Sequence, residues 1–254
     1  MAVCMDRIRT EAHISVEIPM TYAGRLDPMA EGLVVFLYGD ARFQKDFFLK
    51  MNKSYYVEFF LGYETDTFDV LGIAKQAPQL HQQEITMETV DSFQKPGTFT
   101  QNFPAYSSRK ILGKPLFTYA KNSMNVPVES HDVTLYHYAD MSQRFVQASE
   151  LVNGIIADIN NVSGDFRQQE SIASWQVLEK SFPDTITVYG ISMAVSSGFY
   201  VRQWVNDFGK FLSTSAVTFR IVRDTIGIFT MSMLNGESYR VFYEHDPLIS
   251  NLTK

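Results

Sequence analysis

The order of strand-like and helix-like segments constrains this chain most, because the two kinds do not alternate regularly. Residues 33–38, 55–61, 131–138, 185–195 and 217–222 are rich in apolar, β-branched or aromatic side chains and read as strands. Helical spacing is found at 41–50, with Phe43, Phe47 and Phe48 inward, and at 200–212, with Trp204, Val205 and Phe208 on one side. Thr86 is an N-cap ahead of Val90 and Phe93, and Lys95-Pro96-Gly97 stops that helix. Residues 148–161 place Leu151, Val152, Ile155, Ile156 and Ile159 on one stripe, and a second helix follows at 166–181. Residues 1–21 read as short and irregular. Regular alternation would give a doubly wound sheet. This order predicts an α+β fold, a sheet with helices on its faces.

The chain has 254 residues, enough for a sizeable core. Its 45% hydrophobic and 20% charged content excludes wholesale disorder. No run approaches the roughly 18 apolar residues that a membrane helix needs, and residues 1–10 lack the apolar centre of a secretory signal. Cys4 is the single cysteine, so no internal disulfide or cysteine-rich zinc site can form. His13, His81, His131, His137 and His245 make no HxH or HxxxH pair. A cytoplasmic protein with no metal and no membrane partner is expected.

Net charge is −6, which taken whole argues weakly against a nucleic-acid partner. The distribution changes that argument. Residues 122–190 hold nine acids and three bases, so the rest of the chain sums to zero. Basic stretches at 42–53, 109–121 and 202–223 stand out. The second carries Arg109, Lys110, Lys114 and Lys121 with Phe117 and Tyr119 interleaved, just after Tyr106. Basic and aromatic residues together suit single-stranded RNA, and equally a solvated face.

The most informative stretch is Gly24-Arg25-Leu26-Asp27-Pro28-Met29-Ala30-Glu31-Gly32. Leu26 can pin the loop to the core while Pro28 fixes the backbone, and the flanking glycines permit tight turns. That arrangement holds one carboxylate, Asp27, at a defined place in a cleft. An ordinary Asp-Pro turn has the same letters.

GRLDPMAEG resembles the catalytic loop of the TruB-type tRNA pseudouridine synthases. Three further blocks agree in order. Lys53-Ser54-Tyr55-Tyr56-Val57 with Thr65-Asp66-Thr67-Phe68-Asp69 resembles the family's tyrosine strand and TDT-x-D segment. Pro104-Ala105-Tyr106-Ser107-Ser108-Arg109-Lys110 with Gly113-Lys114 resembles its Pro-x-Tyr-Ser block. Gly198-Phe199-Tyr200-Val201-Arg202 resembles its Gly-x-Tyr-x-Arg block. The resemblance covers roughly 20–125 and 185–230. It implies a mixed, mainly antiparallel sheet and isomerisation of a tRNA T-loop uridine, uridine 55, to pseudouridine, without metal or organic cofactor.

By the same resemblance Asp27 is the catalytic aspartate, Tyr55 stacks on the flipped base, Arg202 pairs with Asp27, Asp69 flanks Arg202, and Ile221 lines the uracil pocket. Arg109 and Lys110 are expected RNA contacts. Pro19-Met20-Thr21-Tyr22-Ala23 stands where the family has a histidine lead-in, so Tyr22 is expected to take over stacking or hydrogen bonding. The chemistry suits these residue types. A stacked nucleotide must be flipped before its glycosidic bond can be broken. A carboxylate can stabilise or attack the sugar carbon, and a nearby arginine fixes such a group. The expected organisation is a single catalytic domain, 1–254, interrupted by an acidic, partly helical insertion at 122–184 that offers a packing or protein-partner surface. About twenty-five residues follow Phe229, too few for the family's C-terminal PUA domain, and a monomer bound to the tRNA T-arm is expected. The shared GRLD core leaves one alternative, a synthase acting on another RNA; the absence of the family's Lys-Pro-x-Gly segment ahead of Gly24 leaves another, an RNA-binding or folding protein with weakened catalysis.

Overall fold

The computed structural model describes residues 2–77, 84–122, 124, 128–235, 237 and 239–241; His81 and His245 lie outside them. In chain order the elements begin α1 (Ala2–Glu11), β1 (Met20–Ala23), β2 (Ala30–Gly32), β3 (Val35–Tyr38), a 3₁₀ turn (Gly39–Gln44), α2 (Lys45–Lys50) and β4 (Lys53–Leu61). They continue through β5 (Tyr63–Thr65), β6 (Ala74–Gln76), α3 (Met87–Phe93), β7 (Gly97–Asn102), β8 (Lys110–Ile111), β9 (Lys114–Pro115) and α4 (Leu116–Lys121). The rest are β10 (Ser130–Gln147), α5 (Ala148–Asn161), α6 (Gln168–Glu179), β11 (Thr185–Val195), α7 (Val201–Phe211), β12 (Ala216–Ile226) and β13 (Phe229–Thr230), before a last 3₁₀ turn (Met231–Leu234). No helix among the described residues is long and apolar enough to cross a membrane.

The chain divides into two compact units. The larger, Leu26–Glu31 with Asn52–Arg223, is built on a sheet in the order β12-β4-β11-β10-β7, with β2 beside β12. The β4–β11, β11–β10 and β10–β7 pairs are antiparallel, as the α+β expectation requires. Strand β4 shows the period of two: Val57 and Phe59 join a cluster with Trp204, Val205 and Phe208 of α7, while Phe60 joins one with Val152, Ile155 and Ile159 of α5 and Trp175 of α6. The sheet is therefore covered on both faces.

Residues 122–184 carry one strand of that sheet and the helices α5 and α6. Ser130–Gln147 is an 18-residue strand, more than twice the length read from the sequence, and it sits between β11 and β7. It kinks where Asp140 takes a φ of 58° beside a register shift, which breaks the alternation that marks a strand. The stripe of α5 is spent on the sheet, with Val152, Ile155 and Ile159 fully buried, so it is not a free partner surface.

The smaller unit comprises Met1–Arg25, Gly32–Met51 and Asp224–Lys254. Here β1 and β3 pair antiparallel, and Ala23, Leu37, Phe48 and Phe229 form a small core. The expected helix at 41–50 is a 3₁₀ turn followed by the shorter α2. The tighter turn shifts the phase, so Phe43 is 74% exposed under the Arg42 guanidinium and only Phe48 is buried. The expected irregular start is the helix α1, whose end is tied down by Arg9 donating to the Ser15 and Ile18 carbonyls at 2.6 and 2.7 Å.

Candidate active site

Asp27 follows Leu26 in a turn closed by the Ala30 N–H donating to the Asp27 carbonyl at 3.0 Å. Its carboxylate accepts two hydrogen bonds from Arg202, from Nε to Oδ2 at 2.8 Å and from Nη2 to Oδ1 at 3.0 Å. This is the planar, two-point pairing that fixes a carboxylate's orientation as well as its place. Arg202 is 3% exposed and Asp27 37%. The arginine is thus sealed behind the carboxylate, which stays open on one side.

Arg202 is itself over-determined. It lies in the first turn of α7, whose start is clamped by the buried Gln101 of β7: Gln101 donates to the Tyr200 carbonyl at 3.0 Å and accepts from the Tyr200 N–H at 2.8 Å. Its other donors reach the carbonyls of Thr67 and Tyr106. Asp69 Oδ2 lies 3.5 Å from Arg202 Nε. Burial works against the Arg202 charge, but Asp27 and Asp69 outweigh it and raise its pKa above the ordinary arginine value.

Asp69 is buried, and burial pushes its carboxyl above the ordinary range. Arg202, the Thr67 hydroxyl at 2.6 Å and the Leu71 N–H at 3.1 Å oppose that shift, while Asp27 adds to it. The loop carrying it is held from two sides. Thr218 of β12 exchanges backbone hydrogen bonds with Phe68 and Val70. Helix α6 adds the Trp175 Nε1–H donating to the Val70 carbonyl at 2.8 Å, and Ser171 donating to the carbonyls of Leu71 and Gly72.

Tyr55, on β4, is partly buried and, like Ala30, packs against the apolar cluster on the α7 face that contains Ile221. Burial pushes its phenol up; the Arg223 charge and a side-chain hydrogen bond with Arg223 pull it down, and the Asp27 charge pushes up again. Lys53 is buried, and burial followed by the Arg223 charge lowers it to about 8. Arg223 and Lys53 were not singled out from the sequence. The signal was available for both: Arg223 lies two residues beyond Ile221 and Lys53 two before Tyr55, each on the same strand face as its neighbour.

The structure thus brings Asp27, Arg202 and Asp69 together, with Tyr55 close enough to feel Asp27, and places Tyr55 and Ile221 in one apolar cluster. Burial also raises the Tyr200 phenol, which feels Asp27, Arg202 and Arg109. Arg109 lies over the Phe103 ring at 4.9 Å, and Phe103 stacks on His131 at 4.1 Å. Its guanidinium also comes within 3.9 Å of Glu129. Lys110 is exposed on the β8–β9 hairpin. Tyr119 is structural, donating its hydroxyl to the Ile111 carbonyl at 2.9 Å. Tyr22 belongs to the smaller unit, on β1, where it meets Phe36 edge-on and Lys45 lies 5.7 Å from its ring. Among the described residues, no group of three His, Cys, Asp or Glu gathers as a metal site.

Comparison with known proteins bears on the family and the fold. Residues 15–151 match the model for the TruB family pseudouridylate synthase N-terminal domain. The chain is 26% identical over 234 residues to tRNA pseudouridine synthase B of Staphylococcus saprophyticus, covering 91% of this chain and 65% of that protein. It is 28% identical over 214 residues to the protein of the same name from Blochmanniella floridana, covering 84% and 67%. It is 25% identical over 294 residues to tRNA pseudouridine synthase 4 of Schizosaccharomyces pombe, covering 93% and 72%. The chain therefore spans about two thirds of the length of these curated relatives. Its fold is similar to that of a chain in the crystal structure of a Cbf5-Nop10-Gar1 complex, with a TM-score of 0.50 at 13% identity, over 90% of this chain and 45% of that one. With more than half of its residues within the family model and its aspartate–arginine pair assembled, the chain belongs to the TruB family of pseudouridylate synthases.

Proposed function

We propose that this chain is an RNA pseudouridine synthase that isomerises a uridine in the T-arm of tRNA, at position 55, with Asp27 as its catalytic carboxylate. The observation that carries the reading is the sealed Arg202 holding both oxygens of a carboxylate that remains one-third open. The reaction breaks the C1′–N1 bond, turns the uracil over and forms a C1′–C5 bond. The C5 proton leaves and N1 gains one, so the product is an isomer. Asp27, fixed in orientation, stabilises or attacks C1′ as the bond to N1 breaks. Tyr55 supplies a flat face for the flipped base and a hydroxyl able to pass a proton, and Ile221 walls the same pocket. Arg202 holds the carboxylate, Asp69 flanks Arg202, and Arg109 and Lys110 meet the RNA backbone.

The match to relatives named for tRNA supports the choice of tRNA over another RNA. Within this reading the enzyme works in the cytoplasm as a monomer, and tRNA is its partner. The test is to map pseudouridine in tRNA transcripts after incubation with the purified chain. A new pseudouridine at position 55 supports the reading. Modification only in other RNAs would transfer the activity to a different substrate, and tRNA binding with no pseudouridine would favour a binding protein.

A further inference from the structure

Arg202 draws on carbonyls from two separate segments. Its Nη1 donates to Thr67, on the loop between β5 and β6, and its Nη2 donates to Tyr106, between β7 and β8, at 3.3 Å. Arg167, at the start of α6, touches both segments. Its Nη1 lies 2.8 Å from Oδ2 of Asp66, the neighbour of Thr67, and its guanidinium carbon sits 4.8 Å from the centroid of the Tyr106 ring. Asp66 Oδ1 accepts from the Ile73 N–H at 2.9 Å, so the carboxylate that Arg167 meets is itself tied to its loop. Just ahead of Arg167, the Asp165 carbonyl accepts from Lys121 Nζ of α4 at 2.7 Å. Arg167 is held there at a cost. It takes a φ of 60°, which glycine would adopt without strain, and its Nε is buried without a hydrogen-bond partner among the described residues. Its side chain makes no capping hydrogen bond to α6, so helix capping does not account for it.

We propose that Arg167 is a positioning residue for the catalytic pair: its guanidinium clamps the Asp66 and Tyr106 segments together, and so fixes the spacing of the two carbonyls that orient Arg202 against Asp27. The inference rests on the catalytic reading of Asp27 given above. Arginine suits the task, because its edge pairs with a carboxylate while its flat face lies on an aromatic ring. The links to the site are short. Asp66 adjoins Thr67, and the ring and the carbonyl of Tyr106 belong to one residue. Thr67 also donates its hydroxyl to Asp69 at 2.6 Å, so a shift of the Asp66 segment would disturb both an acceptor and a neighbour of Arg202. Arg167 works through Arg202 and not on the RNA, so its loss should slow the chemical step and leave tRNA affinity in place.

The experiment measures single-turnover tritium release from tRNA labelled at uracil C5, with the full chain in excess, beside tRNA Kd. Arg167→Met should slow release by at least about tenfold, within the reach of a small displacement of a catalytic group, with Kd little changed. Asp66→Asn should slow it too, and the double variant should be about as slow as the slower single, since both changes break one link. A structural role elsewhere would leave Arg202 unmoved. In nitrogen-15 spectra, the Arg202 Nε–H signal, traced through its own side-chain carbons, should therefore exchange with water faster in Arg167→Met than in wild type. Arg167→Lys keeps the charge and loses the planar fork, so its effects should be smaller and of the same sign. It carries the test if the Met variant does not fold. A wild-type rate, losses that multiply in the double variant, unmoved Nε–H exchange, or a loss confined to tRNA affinity overturns the proposal. Wild-type release by Asp27→Asn overturns the catalytic reading and the role built on it. No release by Asp27→Asn beside a wild-type rate in Arg167→Met overturns the role of Arg167 alone.

Discussion

Arg202 and Asp27 sit in very different surroundings although they touch, and their substitutions should differ accordingly. Arg202→Met leaves Asp69 buried without its cation and frees two backbone carbonyls, which should cost about 3–5 kcal/mol of stability in denaturant melts. Asp27→Asn keeps the shape of a part-exposed side chain and should cost about 1 kcal/mol or less. Equal losses would mean that Asp69 does not depend on Arg202. Lys53 gives a pH signature. Its folded value of about 8 lies below the ordinary lysine range. Between pH 8 and about 10.4 the unfolded chain therefore binds more protons, and stability attributable to this residue rises with pH. Urea melts at pH 7 and 10 should show wild type gaining on Lys53→Met as pH rises; a gap that widens the other way would contradict the burial. Residue-scale reading of the sequence found the aspartate, arginine and tyrosine because their motifs are local. It passed over Gln101, Arg223 and Lys53, whose importance depends on which strands become neighbours.

Helices α5 and α6 take the first of the two roles expected of them, packing. Their amphipathic spacing was legible, but a stripe does not say what it packs on. It packs on the sheet, and Ser171 and Trp175 hold the loop that carries Asp69. The other expected role, a protein-partner surface, would leave them dispensable for solubility. Deleting Ala148–Glu179 should instead yield insoluble protein, because Phe60, Val188 and Val217 would lose their cover. The milder Trp175→Ala should cost about 3–5 kcal/mol in thermal or urea melts, and a loss below 1 kcal/mol would mean the helix is not part of the core. Gly72 sits on the same loop, and a Cβ there would lie 2.5 Å from Thr67 Oγ1, the donor to Asp69. The strand at 130–147 was read at half its length because Asp140 interrupts the alternation. The helix at 41–50 was misphased because a 3₁₀ turn and an α-helix share composition but not period.

At the scale of the whole molecule, a net charge of −6 and a polyanionic partner are compatible only if basic groups act locally. Lys110→Ala should weaken tRNA binding uniformly across sequences and reduce the salt slope by about one. An unchanged slope would place Lys110 away from the RNA backbone. The non-alternating order of segments made the α+β class legible, and four motifs in sequence made the family legible. The division into two units was not, since no linker-like composition marks it. In the proposed reaction a glycosidic bond is broken and remade at Asp27. The direct measurement is tritium release from tRNA labelled at uracil C5, comparing wild type with Asp27→Asn at equal bound tRNA. Wild type should release tritium as the C5 proton leaves, and Asp27→Asn should fold, bind tRNA and release none. Release by Asp27→Asn within tenfold of wild type, or no release by wild type with tRNA bound, would contradict it.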